Sequence, residues 1–467
     1  MKRPNILFLM TDEHRADITG FEGNTIVRTP VLDKLAETGV VFSNAYGPSP
    51  ICVPGRQCIA AGQLPKTCVC ENYGDDLTPN YTTWAKVFSQ YAYITTACGK
   101  LHHMGSDQMQ GWRRRIGMDD MMIHNLRYID GAHEEEFERY QSNMNHEGKW
   151  SDSKEIKEAG VGLGPHTEVW DEYATKGMEN IISEYFQDPF YKKTLEHFPH
   201  MLYLGLNNPH YPYFAQENLF NYYLDKVPLY KNEPTFDHPW LGKSPNMPGA
   251  VSIGPEGDVT EEEARRATAA YYANIEECDK RFGRVLEKLE EAGENLDEWI
   301  IIYTTDHGEM LGEHSLWEKQ KFFEASARVP LIIRWPKEFE GGQVVNENVN
   351  LCDLFATLCD FCKLDVPEGL DSRSLVPLIK GESDSWNNET ISQFWGKFLM
   401  IKWDDLKYQY YGEDMPEVLF DLKRNPEETE NLIDEPEYAK IIEKFRIRCG
   451  ELGFGPNADP NYKNAGY

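Results

Sequence analysis

The chain has 467 residues, a formal charge of −30, 40% hydrophobic residues and 12% aromatic ones. That length allows a large core and two or three domains, and the composition belongs to a globular chain, not a disordered one. The charge disfavours nucleic acid and anionic membrane surfaces as partners, and no run nears the roughly 20 apolar residues that span a bilayer.

In chain order, the opening MKRPNILFLMTDEHR pairs basic residues with an apolar run. That run, Ile6–Met10, is shorter than the ~7–15 residues of a signal-peptide core, and Asp12 ends it. It reads as a first strand, and the expected location is cytoplasmic. TPVLDKLAETG (29–39) puts Val31, Leu32 and Leu35 on one helix face, with Gly39 as a stop. SPICVPGRQCIAAG (49–62) then places Cys52 where a helix opens. A helix start attracts anions and draws a thiol towards thiolate. Cys52 is therefore open to four readings: nucleophile, metal ligand, half of a disulfide, or ordinary buried thiol. The ten cysteines are expected to be reduced, and Cys52, Cys58, Cys68 and Cys70 lack the paired spacing of a zinc site.

Three later apolar runs end, like the first, in a polar cluster. AYITTAC leads into GKLHH (99–103), HMLYLGL into NNPHYP (207–212), and WIIIYTT into DHGE (306–309). Short apolar runs bounded by Gly, Pro or Asn suit strands covered on both faces of a parallel α/β sheet. Residues 104–198 carry charge and aromatics with little strand pattern, which predicts an insertion or lid over the sheet edge. Residues 214–258, rich in Pro, Asn and Tyr, predict loop. Thr260 and Glu263 form a capping box for a long helix, whose apolar stripe is Ile275, Cys278, Phe282, Val285, Leu286 and Leu289 and whose stop is Gly293. Cys359 and Cys362 form C-x-x-C, but Leu354, Phe355 and Leu358 fall at helical spacing, so a buried helix face fits better than a redox pair. After residues 1–385, read as a catalytic α/β domain, residues 386–467 predict a small α+β domain. Its antiparallel strands lie in ISQFWGKFLMIKW, LKYQYYG and EVLFDLKRNPEE, and its helix in PEYAKIIEKFRIRCGELG.

In an open α/β sheet, ligands bind beyond the carboxyl ends of the strands, so the four clusters should gather there. Asp12 and Asp306, with Glu13 and His307 beside them, offer oxygen and imidazole donors that suit Ca²⁺, Mg²⁺, Mn²⁺ or Zn²⁺. Lys100, His102 and His210 suit an anionic ester. Each has a plainer reading alone: Asp12 a helix cap, either histidine a surface or hydrogen-bonded group, Lys319 a solvated lysine. Their concurrence carries the weight.

As a set, these stretches resemble the sulfatase family. CVPGRQCIAAG is similar to its Cys-x-Pro-x-Arg signature, and NILFLMTDEHR to its opening strand and metal-binding turn. CGKLHH, NPHYPY and TTDHGEMLGEHSLWEK resemble its other active-site blocks in the family's order, and LFDLKRNPEETENL its C-terminal element. The matches run from residue 4 to about 432. The resemblance implies an alkaline-phosphatase-like α/β fold: a large, mostly parallel sheet sandwiched by helices, plus the small C-terminal α+β unit. It implies hydrolysis of the sulfate monoester of a carbohydrate or other small alcohol.

It further implies that Cys52 is oxidised to formylglycine by a formylglycine-generating or anaerobic sulfatase-maturing enzyme that reads Pro54 and Arg56. One hydroxyl of the hydrated aldehyde attacks sulfur, and the second loses its proton to expel sulfate. Asp12, Asp306, His307 and modified Cys52, with Glu13, would hold a divalent cation, Ca²⁺ first by family habit. Arg56 would hold the hydrate, Lys100 and Lys319 the sulfate oxygens, and His102 would take the hydroxyl proton. His210 would protonate the leaving alcohol, and His103, His314 and Trp317 are expected near the leaving group. Two departures stand out. Glu13 replaces a common Asp, and His307 a common Asn. The Asp-His version resembles choline sulfatases, iduronate sulfatases and phosphonate monoester hydrolases, which gives a second reading as a phosphonate monoester or phosphodiester hydrolase. A third is a non-catalytic binder with Cys52 unconverted. Segments 104–198 and 214–258 are expected to carry specificity.

Overall fold

The computed structural model describes residues 3–117, 119, 153–164, 167–241, 249–458 and 462. Its centre is an eight-stranded sheet. In spatial order the strands are Gln343–Val345, Val40–Phe42, Leu331–Arg334, Ile300–Thr305, Ile6–Asp12, His200–Pro209, Ile94–Gly99 and Arg114–Ile116. Ile6–Asp12 pairs in parallel with both neighbours, and Ile94–Gly99 lies parallel beyond His200–Pro209. Leu331–Arg334 runs antiparallel to the strands on either side of it. The sheet is thus mostly parallel, as expected.

Side chains alternate across a strand, so a strand covered on both faces must be apolar at every position. Ile6, Phe8 and Met10 enter one core with Met201, Tyr203, Ile302 and the helix Asp353–Phe361. Leu7 and Leu9 enter the other with Leu202, Leu204, Tyr303 and the helix Glu261–Glu291. That helix spans 31 residues and opens with the expected capping box: Glu263 N–H donates to Thr260 Oγ1 (3.2 Å) and Thr260 N–H to Glu263 Oε2 (2.7 Å). Cys359 and Cys362 are buried in the first core, as the helix-face reading required.

The lid expected over 104–198 needs correcting where the segment is described. Arg114–Ile116 is the outermost strand of the sheet, and the helix Glu168–Ile182 covers the sheet with Ala174, Met178, Ile181 and Ile182. Exposed Val169, Trp170 and Tyr173 on its outer face blurred the helical period, so the sequence hid this helix. Residues 118, 120–152, 165 and 166 of that segment lie outside the described residues. In the segment expected to be loop, Glu217–Leu224 is a helix that buries Leu219, Phe220 and Tyr223, while residues 242–248 lie outside the description.

Near the C-terminus, Glu389–Phe394, Phe398–Trp403, Leu406–Tyr410 and Val418–Asp421 form a four-stranded antiparallel sheet. One face packs on Ile442, Phe445 and Cys449 of the helix Ala439–Glu451. The other, through Phe398, Met400 and Phe420, joins an apolar cluster containing Phe322, Phe323 and Cys52. Lys407 in this sheet is fully buried between Glu324 (2.7 Å) and Glu428, and Glu324 also accepts from the Tyr46 hydroxyl. Lys407→Met would strand two carboxylates in a dry site. It is expected to cost about 3–5 kcal/mol, read as a lower urea midpoint at unchanged slope. A wild-type midpoint would show that the pairs hold nothing together.

Candidate active site

Four adjacent parallel strands deliver their carboxyl ends to one edge. Asp12 ends Ile6–Asp12, Lys100 follows Ile94–Gly99, His210 follows His200–Pro209, and Asp306 follows Ile300–Thr305. The helix Cys52–Ala61 starts at the same edge with all ten residues buried. Cys52 and Arg56 lie four apart, which puts both on one helix face. A Cβ at Gly55, between them, would meet Asp306 Cβ at 3.7 Å, an ordinary contact, and the Ser49 carbonyl at a tighter 3.3 Å.

The Arg56 guanidinium ties these ends together. Nε donates to Asp306 Oδ2 (2.7 Å), and Nη2 to Asp12 Oδ2 (3.0 Å) and the Thr11 carbonyl (2.8 Å). Nη1 donates to the Lys100 carbonyl and the Tyr203 hydroxyl, both at 3.1 Å. Lys100 Nζ adds a second cation on Asp12 Oδ2 at 2.9 Å.

Opposite these contacts sits a set of acceptors suited to a cation. Asp12 Oδ1 and His307 Nε2 are buried and find no hydrogen-bond partner among the described residues. His307 Nδ1–H donates to the Gly308 carbonyl (3.0 Å), which leaves the Nε2 lone pair 3.9 Å from Asp12 Oδ1 and 3.8 Å from Asp306 Oδ1. Donor atoms of Asp12, Asp306 and His307 all lie within 4.8 Å of one another. Buried acceptors facing each other are costly unless a cation satisfies them, and an imidazole fixed through its other nitrogen is the usual form of such a ligand.

Among the described residues, Asp12, Glu13 and His210 form a second such group, and Cys52 belongs to neither. Glu13 sits at φ 64°, its N–H donating to Asp306 Oδ1 (3.1 Å) while its carboxylate accepts from Lys319 Nζ (3.0 Å). The structure turns the Glu13 carboxylate towards Lys319 and His210, where it stands with Asp12 in the second of the two groups.

Burial pushes the Asp12 carboxyl up, but Lys100, Arg56, His210 and His307 together outweigh it and hold Asp12 well below the usual range. Burial and then Asp12 push the Cys52 thiol up to about 12 before any cation binds, so the helix start alone does not make a thiolate. His210 Nδ1–H donates to the Tyr211 carbonyl (2.6 Å), and its Nε2 accepts from Lys319 Nζ (2.6 Å). Burial, Lys319 and Lys100 keep this imidazole neutral. His102 is neutral for similar reasons, burial and then Lys100, and its buried Nδ1 finds no partner among the described residues.

The family profile described as "Sulfatase" matches residues 4–363, and one described as "N-sulphoglucosamine sulphohydrolase, C-terminal" matches 312–452. The chain belongs to the sulfatase family. It is a sulfuric ester hydrolase. An arylsulfatase of Clostridium perfringens is 28% identical over 465 residues, covering 95% of this chain and 93% of that protein. An N-acetylglucosamine-6-O-sulfatase of Bacteroides thetaiotaomicron is 26% identical over 495 residues, covering 94% and 84%. A phosphonate monoester hydrolase of Agrobacterium radiobacter has a similar solved structure, with TM-score 0.73, 22% identity and coverage of 96% and 94%. That likeness shows the alkaline-phosphatase-like fold.

Three residues expected near the leaving group make the following contacts. His103 is buried against the Gln108 carbonyl (3.2 Å), His314 stacks on Phe323 (4.0 Å), and Trp317 packs edge-on to Tyr213 (6.0 Å). Conversely, sequence reasoning missed two positioning carboxylates. Asp171, on the helix that covers the sheet, accepts from the N–H groups of Asn207 (2.6 Å) and Asn208 (2.9 Å) and so holds the His210 loop. Asp119 accepts from Leu101 N–H (2.8 Å) and His103 N–H (3.0 Å) and brackets His102. Neither had a spacing signal.

Buried histidines have a consequence for stability. Burial pulls His103 down to about 4 and His314 to about 3, and it pulls His14, which bonds to the Ile18 carbonyl (2.9 Å), to about 4. With folded values below the unfolded ~6.5, the unfolded chain takes the protons first, so stability is lost as pH falls below 6.5. Each should cost about 2 kcal/mol between pH 7 and 5, measured by urea unfolding at both values. His314→Leu should flatten the dependence, and an unchanged slope would show that His314 titrates freely.

Proposed function

We propose that this sulfatase hydrolyses the sulfate monoester of a carbohydrate or other small alcohol, with Cys52 converted to formylglycine beside a divalent cation. The observation that carries the reading is the unpaired Asp12 Oδ1 and His307 Nε2 facing each other beside Asp306, next to Cys52 and among Arg56, Lys100 and Lys319. Oxygen donors with one imidazole accept Ca²⁺, and also Mg²⁺, Mn²⁺ or Zn²⁺. When bound, the cation would polarise a sulfate oxygen and acidify a hydroxyl of the hydrated aldehyde. The name of the N-acetylglucosamine-6-O-sulfatase relative supports a sulfated sugar as substrate.

The chain's own residues divide the remaining work. Lys100 and Lys319 sit where negative charge builds on the transferring group. His210, whose Nε2 lies 2.6 Å from Lys319 Nζ, would protonate the leaving alcohol after taking up a proton from solvent, while Lys319 keeps its charge. Neutral His102, with its free Nδ1, accepts the proton of the second hydroxyl. Pro54 and Arg56 are buried, as is all of Cys52–Ala61, so a maturing enzyme must read them before folding is complete. No helix among the described residues is long and apolar enough to cross a membrane, and we place the protein in the cytoplasm by proposal.

The second reading, a phosphonate monoester or phosphodiester hydrolase, draws on the Asp306–His307 pair. Rates on 4-nitrophenyl sulfate and bis-4-nitrophenyl phosphate separate the two. The sulfate is expected to turn over faster, and a clear preference for the phosphorus ester would replace the first reading. Mass spectrometry of the Cys52 peptide should show a species about 18 Da lighter than the cysteine form. A wholly unconverted, inactive chain would leave only the binder.

A further inference from the structure

The polar cluster 306–309 supplies Asp306 and His307 to the site, but its last residue, Glu309, takes no part in the chemistry above. Glu309 is fully buried. Its Oε1 accepts from Leu311 N–H (2.9 Å) and Glu318 N–H (2.5 Å), and its Oε2 from the Tyr213 hydroxyl (3.2 Å). Three donors from two separate segments thus converge on one carboxylate.

The first segment delivers Lys319. Residues 310–318 loop out from Glu309 and return, with Met310 N–H donating to the Glu318 carbonyl (2.8 Å) and Glu318 N–H to the Glu309 carboxylate. On the way Leu311, His314, Ser315 and Glu318 take φ of 50°, 58°, 57° and 63°, a region that non-glycine residues rarely adopt. Such a path persists only where its surroundings hold it. Lys319 follows at once, and its Nζ lies 3.0 Å from Glu13 Oε2 and 2.6 Å from His210 Nε2. The second segment carries His210. Tyr213, three residues further on, is buried with its ring edge-on to Trp317 (6.0 Å).

We infer that Glu309 is a positioning residue for sulfate-ester cleavage: its carboxylate locks the Lys319 loop and the His210 loop against each other. The sulfate clamp and the proton donor then meet the same ester in register. The inference rests on the sulfatase mechanism proposed above. Without the carboxylate, two backbone N–H groups and a hydroxyl would be buried with no acceptor, and the loop would shift to satisfy them. Misplacing a catalytic group by about 1 Å costs on the order of 10²-fold in rate. A carboxylate that only held the fold together would slow every substrate alike. One that sets His210 must matter most where the leaving oxygen needs a proton.

The test therefore varies the leaving group, with Cys52 conversion matched by intact mass. 4-Nitrophenyl sulfate releases a stabilised anion, whereas phenyl sulfate releases a phenolate whose acid has a pKa of about 10 and which needs the proton. Glu309→Ala should lower kcat about tenfold on the nitrophenyl ester, through Lys319, and about 10³-fold on the phenyl ester, with KM moved by less than about threefold. Glu309→Gln keeps an oxygen for the two N–H groups and should recover both rates to within about threefold of wild type. If Glu309→Ala fails to fold, Tyr213→Phe removes one donor and keeps the ring, with expected losses of about tenfold on the phenyl ester and about twofold on the nitrophenyl ester. Equal losses on the two esters, or a Gln variant as slow as the Ala variant, overturn the positioning role and leave the sulfatase reading standing. Fully converted wild type that turns over neither ester overturns that reading and the role of Glu309 together.

Discussion

Replacing Cys52 with alanine is expected to lower sulfate-ester turnover by about 10⁴-fold or more while changing stability by about 1 kcal/mol. Cys52 stands in the first turn of a helix whose other nine residues pack independently of the thiol, and alanine is the best helix former. Little should be lost from the fold. The chemistry is another matter, because the proposed nucleophile forms at position 52, among Arg56, Lys100 and Lys319. The unconverted wild type offers a matched control. Its thiol is held up by burial and Asp12, and a thiol also lacks the second hydroxyl that expels sulfate. Unconverted wild type and Cys52→Ala should therefore be indistinguishable in turnover. Plotting kcat against the converted fraction, measured by intact mass, should give a line through the origin. Wild-type turnover in Cys52→Ala would move the reaction to another part of the molecule.

The parts of this site that could be read in the sequence share a physical cause. Strands such as Ile6–Asp12 and Ile300–Thr305 are covered on both faces, so they stand out as unbroken apolar runs. The polar clusters behind them then mark one edge of the sheet. Val40–Phe42 and Leu331–Arg334 are strands of the same sheet, but three or four residues are too few to show a period. Distance along the chain misled in the fourth block. Leu311, His314, Ser315, Glu318 and Gln320 all take positive φ, so this stretch reverses repeatedly. Lys319 reaches Glu13 and His210, while Trp317 and His314, two and five residues away, point into separate packing clusters. Glu13 is the same case in miniature. One left-handed residue after Asp12 sends its carboxylate towards Lys319 and His210, into the second group that it forms with Asp12.

Arg56→Lys keeps the charge and is nonetheless expected to cost about 3 kcal/mol of stability and about 10²–10³-fold in turnover. The guanidinium serves five acceptors fixed on or just after four different strands: Thr11 and Asp12, Lys100, Tyr203, and Asp306. An ammonium gathers its three donors at one point, so it cannot span Asp306 Oδ2 and Asp12 Oδ2 and also reach the Lys100 carbonyl. Whichever acceptors it leaves are buried without a partner, and the two aspartates lose the rigid plane that keeps their other oxygens turned towards His307. Cation affinity should fall with turnover, by about 10–100-fold, because the lost contacts orient the ligands from behind. Thermal unfolding with and without added Ca²⁺ measures both effects in one experiment, since a bound cation stabilises the fold by an amount that grows with the logarithm of its concentration over its dissociation constant. If Arg56→Lys unfolds at the wild-type temperature and gains the same increment from Ca²⁺, the guanidinium acts as a point charge and its planar fork carries none of the site's geometry.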